Sequence, residues 1–329
     1  MSFLTENMDT IINADCMDVL KQLPDKCVDL VLTDPPYFKI VKDKWDNQWK
    51  NIFEFKKWVN EIGKEICRVL KDNGSFYWFG DDKNVAYCQV ELDRHFRLLN
   101  NIVWKKKSLI TTKGTYSVLR SYAPVTERIL FYDKGEGKTG LQMVKQIMPN
   151  PLAEYLKSEL LRKFGSIAQI RKFVVNELKM DSAMVNRWFD GDCLISKERW
   201  NFIREKIGFD FLTKEYEDLR REYEGLRRVW NNDKKALDVL DCPFCQDNGR
   251  FHPTQKPLSL IMYLMERSSK KGDVVIDPFS GSGTTAVACH KLGRHFICVE
   301  KDPDYWAASV KRLDEERRQM TIFDVLGRN

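Results

Sequence analysis

No stretch of the 329-residue chain holds the about 18 consecutive apolar residues that a membrane-spanning helix needs. The opening residues MSFLTENMDT lack both the basic and the apolar segment of an export signal. Glycine (17) and proline (11) are too scarce for a collagen-like or linker-dominated chain, and 43% apolar residues are too many for a disordered one. No internal repeat and no low-complexity tract is present. A disulfide framework is also excluded. The nine cysteines are odd in number and scattered through apparent strands and helices, as at Cys16, Cys67, Cys88 and Cys298. They read as the reduced thiols of a cytoplasmic protein. What remains is a globular chain long enough for one large or two medium domains with a core that needs no staples.

The charge is uneven. Lys+Arg 54 against Asp+Glu 48 leaves +6 overall, yet residues 94–134 alone carry nine basic and two acidic side chains. That stretch interleaves Lys105, Lys106, Lys107, Lys113 and Arg120 with Trp104, Tyr116 and Tyr122. Concentrated positive charge among aromatics suits a phosphate backbone, and a solvated basic face without a partner is the alternative.

Three textures follow one another along the chain. Residues 1–140 alternate short apolar runs with helical periodicity. Val28–Thr33 is an apolar run stopped by Asp34-Pro35-Pro36, because proline cannot continue a central ladder. Ile52, Phe55, Val59, Ile62, Ile66 and Val69 recur at steps of three and four and predict an amphipathic helix. Lys71–Gly74 is expected to end that helix, and Ser75–Phe79 to form the next strand. Residues 141–250 read as mostly helical and heavily charged. Residues 251–329 return to strand and helix, with Val274–Ile276, a glycine-rich turn, a helix from Thr284, the strand Phe296–Val299 and a last helix capped by Asp302 before Pro303. This rhythm predicts an α/β protein with a central, mostly parallel sheet.

Two constellations carry chemistry. Asp277-Pro278-Phe279-Ser280-Gly281-Ser282-Gly283-Thr284 follows a strand and opens a helix, and Glu300 ends the next strand about 20 residues later, where such folds hold a ribose hydroxyl pair. A G-K-[ST] ending is lacking, which excludes a P-loop, and the third glycine of the dinucleotide fingerprint is missing. A nucleoside ligand without a pyrophosphate fits better than NAD, and a dehydrogenase is disfavoured. The second constellation is Asp34-Pro35-Pro36-Tyr37 at a strand's carboxyl end. A carboxylate and a carbonyl fixed by a Pro-Pro bend, followed by an aromatic ring, suit a planar base with an exocyclic amino group. A plain turn is the alternative for this tetrapeptide taken alone.

With His252-Pro253-Thr254-Gln255-Lys256-Pro257 before the glycine turn, the chain resembles the S-adenosylmethionine-dependent DNA amino-methyltransferases. The order matches the β arrangement, in which the D-P-P-Y half precedes the cofactor half, and the resemblance covers about residues 1–135 and 250–310. It implies a Rossmann-like methyltransferase fold in which the helical insert 141–250 acts as the target-recognition region. It implies that Asp34, Pro35, Pro36 and Tyr37 form the catalytic corner, with Asp34 also beside the cofactor. Asp277, Pro278, Phe279, Gly281, Ser282, Gly283 and Thr284 would hold the methionine and ribose portions of S-adenosylmethionine, and Glu300 the ribose hydroxyls. Asp15 and Cys16 would meet the adenine ring from the strand before the corner, and Thr254 and Lys256 would anchor the carboxylate. Trp104 and Lys105 would stand at a strand end near the target pocket, unless Trp104 is core. A single C-x-x-C, Cys242-Pro243-Phe244-Cys245, with His252 does not make a zinc site, so no metal is expected.

The resemblance also implies the chemistry. An amino nitrogen on a heteroaromatic ring is a poor nucleophile, because its lone pair is delocalised. Asp34 and the Pro35 carbonyl would accept its hydrogens and return density to nitrogen, while Tyr37 stacks on the flipped base. An Asp-led tetrapeptide favours N6 of adenine in duplex DNA, with N4 of cytosine, or action on RNA, as alternatives.

Residues 170–208 resemble the helix-turn-helix of repressor-type DNA-binding proteins, with Asp181 or Ser182 capping a helix that carries Met184, Asn186 and Arg187, and a further helix from Lys197 to Ile207. Ser182, Asn186 and Arg187 are the expected DNA contacts there, and a packing module without base contact is the alternative. A transcriptional regulator with a relict methyltransferase fold is the reading from another class, and an intact D-P-P-Y speaks against it. Duplex DNA is the expected partner, with a homodimer and a separate restriction endonuclease as further partners that the resemblance allows.

Overall fold

The computed structural model describes residues 2–40, 42–106, 125–134, 150–191, 193–231, 236–242 and 254–326, of which 320–326 by backbone alone. Two compact units emerge: Met1–Leu141 with Arg228–Asn329, and Gln142–Arg227.

The first unit is an α/β sandwich. Its elements are α1 (Phe3–Glu6), β1 (Thr10–Asn13), α2 (Cys16–Gln22), β2 (Val28–Thr33), α3 (Ile52–Val69), β3 (Leu70–Gly80), α4 (Val85–Leu92), β4 (Arg97–Lys105) and β5 (Thr126–Asp133). The helical unit follows with α5 (Pro151–Phe164), α6 (Ile167–Leu178), α7 (Ala183–Phe189), α8 (Lys197–Ile207) and α9 (Tyr216–Leu226). The chain then re-enters the sheet unit through β6 (Val239–Asp241), α10 (Leu258–Ser268), β7 (Val274–Asp277), α11 (Thr284–Leu292), β8 (His295–Glu300) and α12 (Pro303–Leu326). The sheet unit thus resumes at Arg228, ahead of the division at 251 that texture alone suggests.

The eight strands lie in the order β1-β8-β7-β2-β3-β5-β4-β6. All neighbours pair in parallel except β5, which runs antiparallel to both β3 and β4. One face is covered by α2, α3 and α4, whose Val19, Leu20, Phe55, Val59, Ile62, Ile66 and Leu92 pack with Val31, Phe76, Trp78 and Tyr132 of the sheet. The other is covered by α10, α11 and α12 through Leu260, Leu264, Met265, Val287 and Leu313. Strands buried on both faces carry near-continuous apolar runs, which is why Val28–Thr33 reads as it does.

Asn51 caps α3 by accepting the amide N–H groups of Phe53 and Glu54, each at 3.0 Å. The helix ends at Val69, and the strand begins at once with Leu70 rather than at Ser75. Lys71–Gly74 is a bulge within β3: Val28 pairs with Leu70, and the next pair is Leu30 with Ser75. An extra-residue bulge has no periodic signature, which accounts for the difference.

The helical unit buries its own core of Leu152, Leu156, Leu160, Ile170, Val174, Val185, Trp188, Trp200, Ile203 and Ile207. Between α6 and α7 the chain turns through Lys179 at φ 53, a left-handed C-cap. The Asp181 carboxylate accepts the Ala183 amide at 2.8 Å, and Ser196 caps α8. Helices α7 and α8 form over the residues where the sequence pattern places helix. Among the described residues no helix is long and apolar enough to cross a membrane.

Candidate active site

The sheet order reverses between β2 and β7, and in open α/β sheets ligands bind at the carboxyl ends of strands at such a switch point. Asp34-Pro35-Pro36 leaves the end of β2 and Asp277-Pro278-Phe279 leaves the end of β7, its neighbour. The Thr33 hydroxyl donates to Asp277 Oδ1 at 2.7 Å and ties the two strand ends together. A cavity of about 570 Å³ opens above them, within the range of small-molecule and cofactor sites. It is lined by Asp34, Pro35, Pro36 and Tyr37, by Pro278, Phe279 and Gly281, by Glu300 and by Asp15 and Cys16. Both motifs therefore face one cleft. A smaller cavity of about 40 Å³ beside it is lined by Thr254, Gln255, Lys256, Asp277, Ser282 and Thr284, and shares Asp34, Phe279 and Gly281.

The catalytic corner is held from two sides. Asp46, fully buried, accepts the amide N–H of Tyr37 at 2.6 Å and of Phe38 at 2.8 Å on Oδ1, and of Ile40 at 2.6 Å on Oδ2. Its own carbonyl takes the Lys39 amide at 2.8 Å. Asn84 donates to the Tyr37 and Phe38 carbonyls at 2.7 and 2.9 Å. These contacts maintain Phe38 and Lys39 at φ 68 and 60, a left-handed conformation that side chains other than glycine resist.

Around Asp34 a charged cluster closes. Tyr37 Oη donates to Asp34 Oδ1 at 2.5 Å and Lys256 Nζ donates to Oδ2 at 2.7 Å. Lys256 Nζ also lies 3.2 Å from Glu127 Oε2, and Glu127 Oε1 accepts from Lys106 Nζ at 2.9 Å. Burial pushes the Asp34 carboxyl above the usual carboxylate range against the pull of Lys256. Burial also raises the Tyr37 hydroxyl well above its ordinary value, so it stays a donor. Burial opposes the charge on Lys256 and on Glu127, but the neighbouring charges outweigh it: Asp34 and Glu127 raise the ammonium, and Lys256 and Lys106 lower the Glu127 carboxyl.

The cofactor half is equally specified. Glu300 accepts the Gly281 amide at 2.7 Å and the Asp302 amide at 2.8 Å, and burial raises its carboxyl. Asp277, 4% exposed, accepts from Thr33, Thr285 and the Phe279 amide, and burial pushes its carboxyl up to about 6. Asp15 is the N-cap of α2 rather than a strand residue, and Lys301 Nζ donates to it at 2.9 Å. The Cys16 thiol is pushed up to about 12 by burial and lines the cavity as an apolar surface. Trp58 stands with its ring 5.5 Å from that of Phe279.

Some expected residues sit elsewhere. Gly283 lines neither cavity. At φ 72, a Cβ there would meet Ser309 Cβ at 3.0 Å and Ile11 Cδ1 at 3.4 Å, so packing on α12 and β1 explains the glycine rather than the approach of a ligand. Trp104 is fully buried and its Nε1 donates to the Cys242 carbonyl at 2.9 Å, which makes it core. Lys105 is exposed, 3.7 Å from Asp241, while Lys106 turns to Glu127 instead of joining a free basic surface. Lys107, Lys113, Arg120, Tyr116, Tyr122, His252 and the C-x-x-C beyond Cys242 lie outside the described residues. Among the described residues no cluster of His, Cys, Asp or Glu could hold a metal ion. In the helical unit Asn186 and Arg187 are exposed and Ser182 is half-buried, and Arg171 donates to Asn186 Oδ1 at 2.9 Å.

Asp46, Asn84, Glu127 and Trp58 are site residues that sequence reasoning misses. The Trp45-Asp46-Asn47 turn shortly after the D-P-P-Y corner is the one local signal; the others are single residues without a pattern.

Known proteins place this geometry. YhdJ, a DNA adenine methyltransferase of Escherichia coli (strain K12), is 28% identical over 310 residues, spanning 93% of this chain and 82% of the relative. M.HinfI, a type II methyltransferase of Haemophilus influenzae, is 25% identical over 330 residues, spanning 95% and 70%. The crystal structure of the M1.HpyAVI–SAM complex shares the fold at a TM-score of 0.52 and 20% identity, covering 92% of this chain and 99% of that one. A family model described as DNA methylase matches residues 28–311, and the chain belongs to this family of N6- and N4-directed DNA amino-methyltransferases.

Proposed function

We propose that this methyltransferase transfers the methyl group of S-adenosylmethionine to the N6 amino group of adenine in duplex DNA, after flipping the base out of the helix. The observation that carries the reading is the shared cleft: the D-P-P-Y corner and the glycine turn line one cavity at the β2–β7 switch point. Similarity to YhdJ, a DNA adenine methyltransferase, supports adenine as the acceptor.

The lining fits the cofactor. Glu300 retains lone pairs for a ribose hydroxyl pair, and Phe279 and Trp58 offer aromatic faces. Gln255 Oε1, on a residue 3% exposed in the smaller cavity, has no hydrogen-bond partner among the described residues and can accept from the amino-acid end. Thr254 stands between the two cavities. When bound, the cofactor supplies an electrophilic methyl group on a sulfonium.

The chain's own residues do the rest. Asp34 and the Pro35 carbonyl accept the two amino hydrogens of the base, which raises the electron density on nitrogen. Tyr37 replaces the stacking lost when the base leaves the duplex. The fixed corner holds nitrogen in line with the methyl carbon, and such positioning supplies much of the acceleration. The helical unit is the proposed target-recognition element, with Ser182, Asn186 and Arg187 near base edges or phosphates. The further partners proposed are a second copy of the chain and a separately encoded restriction endonuclease, in the cytoplasm.

Asp34→Ala tests the assignment. The variant should bind cofactor as the parent does and transfer no labelled methyl to duplex DNA; normal transfer would overturn the reading. Digestion of methylated DNA to deoxynucleosides identifies the base, and N4-methyldeoxycytidine in place of N6-methyldeoxyadenosine would overturn the acceptor.

A further inference from the structure

We propose that Glu127 is a positioning residue for methyl transfer: it takes the Lys256 ammonium from Asp34 when the target base enters, and so frees the Asp34 carboxylate for the amino hydrogens. The inference rests on the role given to Asp34 above.

As it stands, each oxygen of Asp34 already serves one donor. One oxygen accepts from Tyr37 at 2.5 Å and the other from Lys256 at 2.7 Å. An ammonium at that distance draws electron density from the very oxygen that must push density onto the base, and it occupies the position where an amino hydrogen has to arrive. Tyr37 can leave by turning its ring onto the base. Lys256 cannot leave for solvent, because its side chain is only 6% exposed and its charge needs a buried counterion.

Glu127 meets that need. It is 8% exposed and its Oε2 lies 3.2 Å from Lys256 Nζ, longer than the about 2.7–2.9 Å of a settled ammonium–carboxylate hydrogen bond. A shift of about half an ångström closes this contact and opens the one to Asp34. Lys106, at 2.9 Å from the other oxygen, fixes the Glu127 carboxylate so that the lysine moves and the glutamate does not. The fold explains why a carboxylate stands here. β5 is the antiparallel strand, so its early residue Glu127 reaches the end of the sheet from which Asp34 emerges on parallel β2.

A purely structural counterion predicts something different, and Glu127→Gln separates the two. With glutamine, Lys256 has Asp34 as its one carboxylate partner among the described residues and stays on it. Single-turnover methyl transfer should then fall about 10- to 100-fold, the range of one charge-assisted hydrogen bond, with cofactor Kd nearly unchanged and the thermal midpoint lowered, because Lys106 loses its carboxylate partner. In a Lys256→Met background the same substitution should change the residual rate less than about twofold, because no ammonium remains to be moved. An unchanged rate in Glu127→Gln, or an equal loss in both backgrounds, overturns the proposal. Should Glu127→Gln fail to fold, Glu127→Asp keeps the charge but shortens its reach. It should fold and lose kcat while KM for cofactor holds, and a wild-type kcat there overturns the proposal as well. Asp34→Asn is measured alongside. If it methylates normally, the reading of Asp34 fails; if it is inactive while Glu127→Gln is normal, the role of Glu127 alone fails.

Discussion

Replacing Asp46 with alanine should loosen the catalytic corner without touching a residue that meets the base. The carboxylate accepts three amide N–H groups, from Tyr37, Phe38 and Ile40, at 2.6–2.8 Å. A hydrogen bond to a charged group contributes about 1.5–3 kcal/mol, so the three sum to roughly 4–9 kcal/mol before any compensation. Water from the adjoining cavity would satisfy part of that demand in the variant, which reduces the net local loss to about 3–4 kcal/mol. The left-handed backbone at Phe38 and Lys39 works in the same direction, since each residue costs about 1–2 kcal/mol there and relaxes once the carboxylate is gone. Hydrogen exchange reads the result directly. Protection of the Tyr37, Phe38 and Ile40 amides should fall by about 10²- to 10³-fold, while the β2 amides keep theirs. Single-turnover methyl transfer should fall by about 100-fold, the usual consequence of an ångström of misplacement. Asp46→Asn should lie between, because its oxygen still serves Tyr37 and Phe38 while its NH₂ group opposes the Ile40 amide. Exchange within tenfold of the parent, together with a transfer rate within twofold, would refute the clamp.

Two further outcomes are expected. The folded-state pKa of Asp277 is raised by burial to about 6, above that of an unfolded aspartate, so its contribution to stability is full below about pH 4 and lost as pH rises through about 6. The loss amounts to about 3 kcal/mol, and Asp277→Asn should therefore melt higher than the parent at pH 7.5 and lose that advantage at pH 4, with Thr285 turning its hydroxyl to accept; equal differences at both pH values would remove the assignment. Arg187→Ala, on the exposed side of α7, should weaken or relax site choice in bisulfite-free single-base sequencing of methylated DNA while cofactor Kd is unchanged, and an unaltered site preference would take α7 out of the recognition surface.

How much of this was readable depended on whether a residue's role is local. The β2 run, the α3 periodicity and the two motifs are local, because an apolar run, a step of three or four, and Pro or Gly at a turn each restrict the chain where they occur. The start of β3 was not readable, since Leu70–Gly74 pairs through a bulge, and neither was β6, three residues with two exposed, which carry no period. The same division runs through the site. Asp34, Phe279 and Glu300 announce themselves by their neighbours in the chain. Glu127 and Asn84 acquire their roles only when β5 and α4 are set beside the corner, and a lone acid or amide in a strand or before a helix carries no trace of that.

The position of the insertion follows from the same topology. The bond between the two halves of the site is the β2–β7 pairing, in the middle of the sheet, and it needs no short connection between those strands in the chain. Between β5 and β6 the chain departs to build the unit Gln142–Arg227 and returns to the edge of the sheet, beyond β4. A long insertion at such a point adds loop entropy that grows only logarithmically with length, while an insertion between β2 and the corner would alter the geometry on which transfer depends. The helical unit buries a core of its own. On the proposal that α7 takes part in target recognition, grafting a different helix in its place should change where on DNA the methyl group is delivered and leave the rate at the chosen site nearly the same; a collapse of single-turnover rate at every site, with Trp188 and the rest of the core retained, would show that the two units are not separable in function.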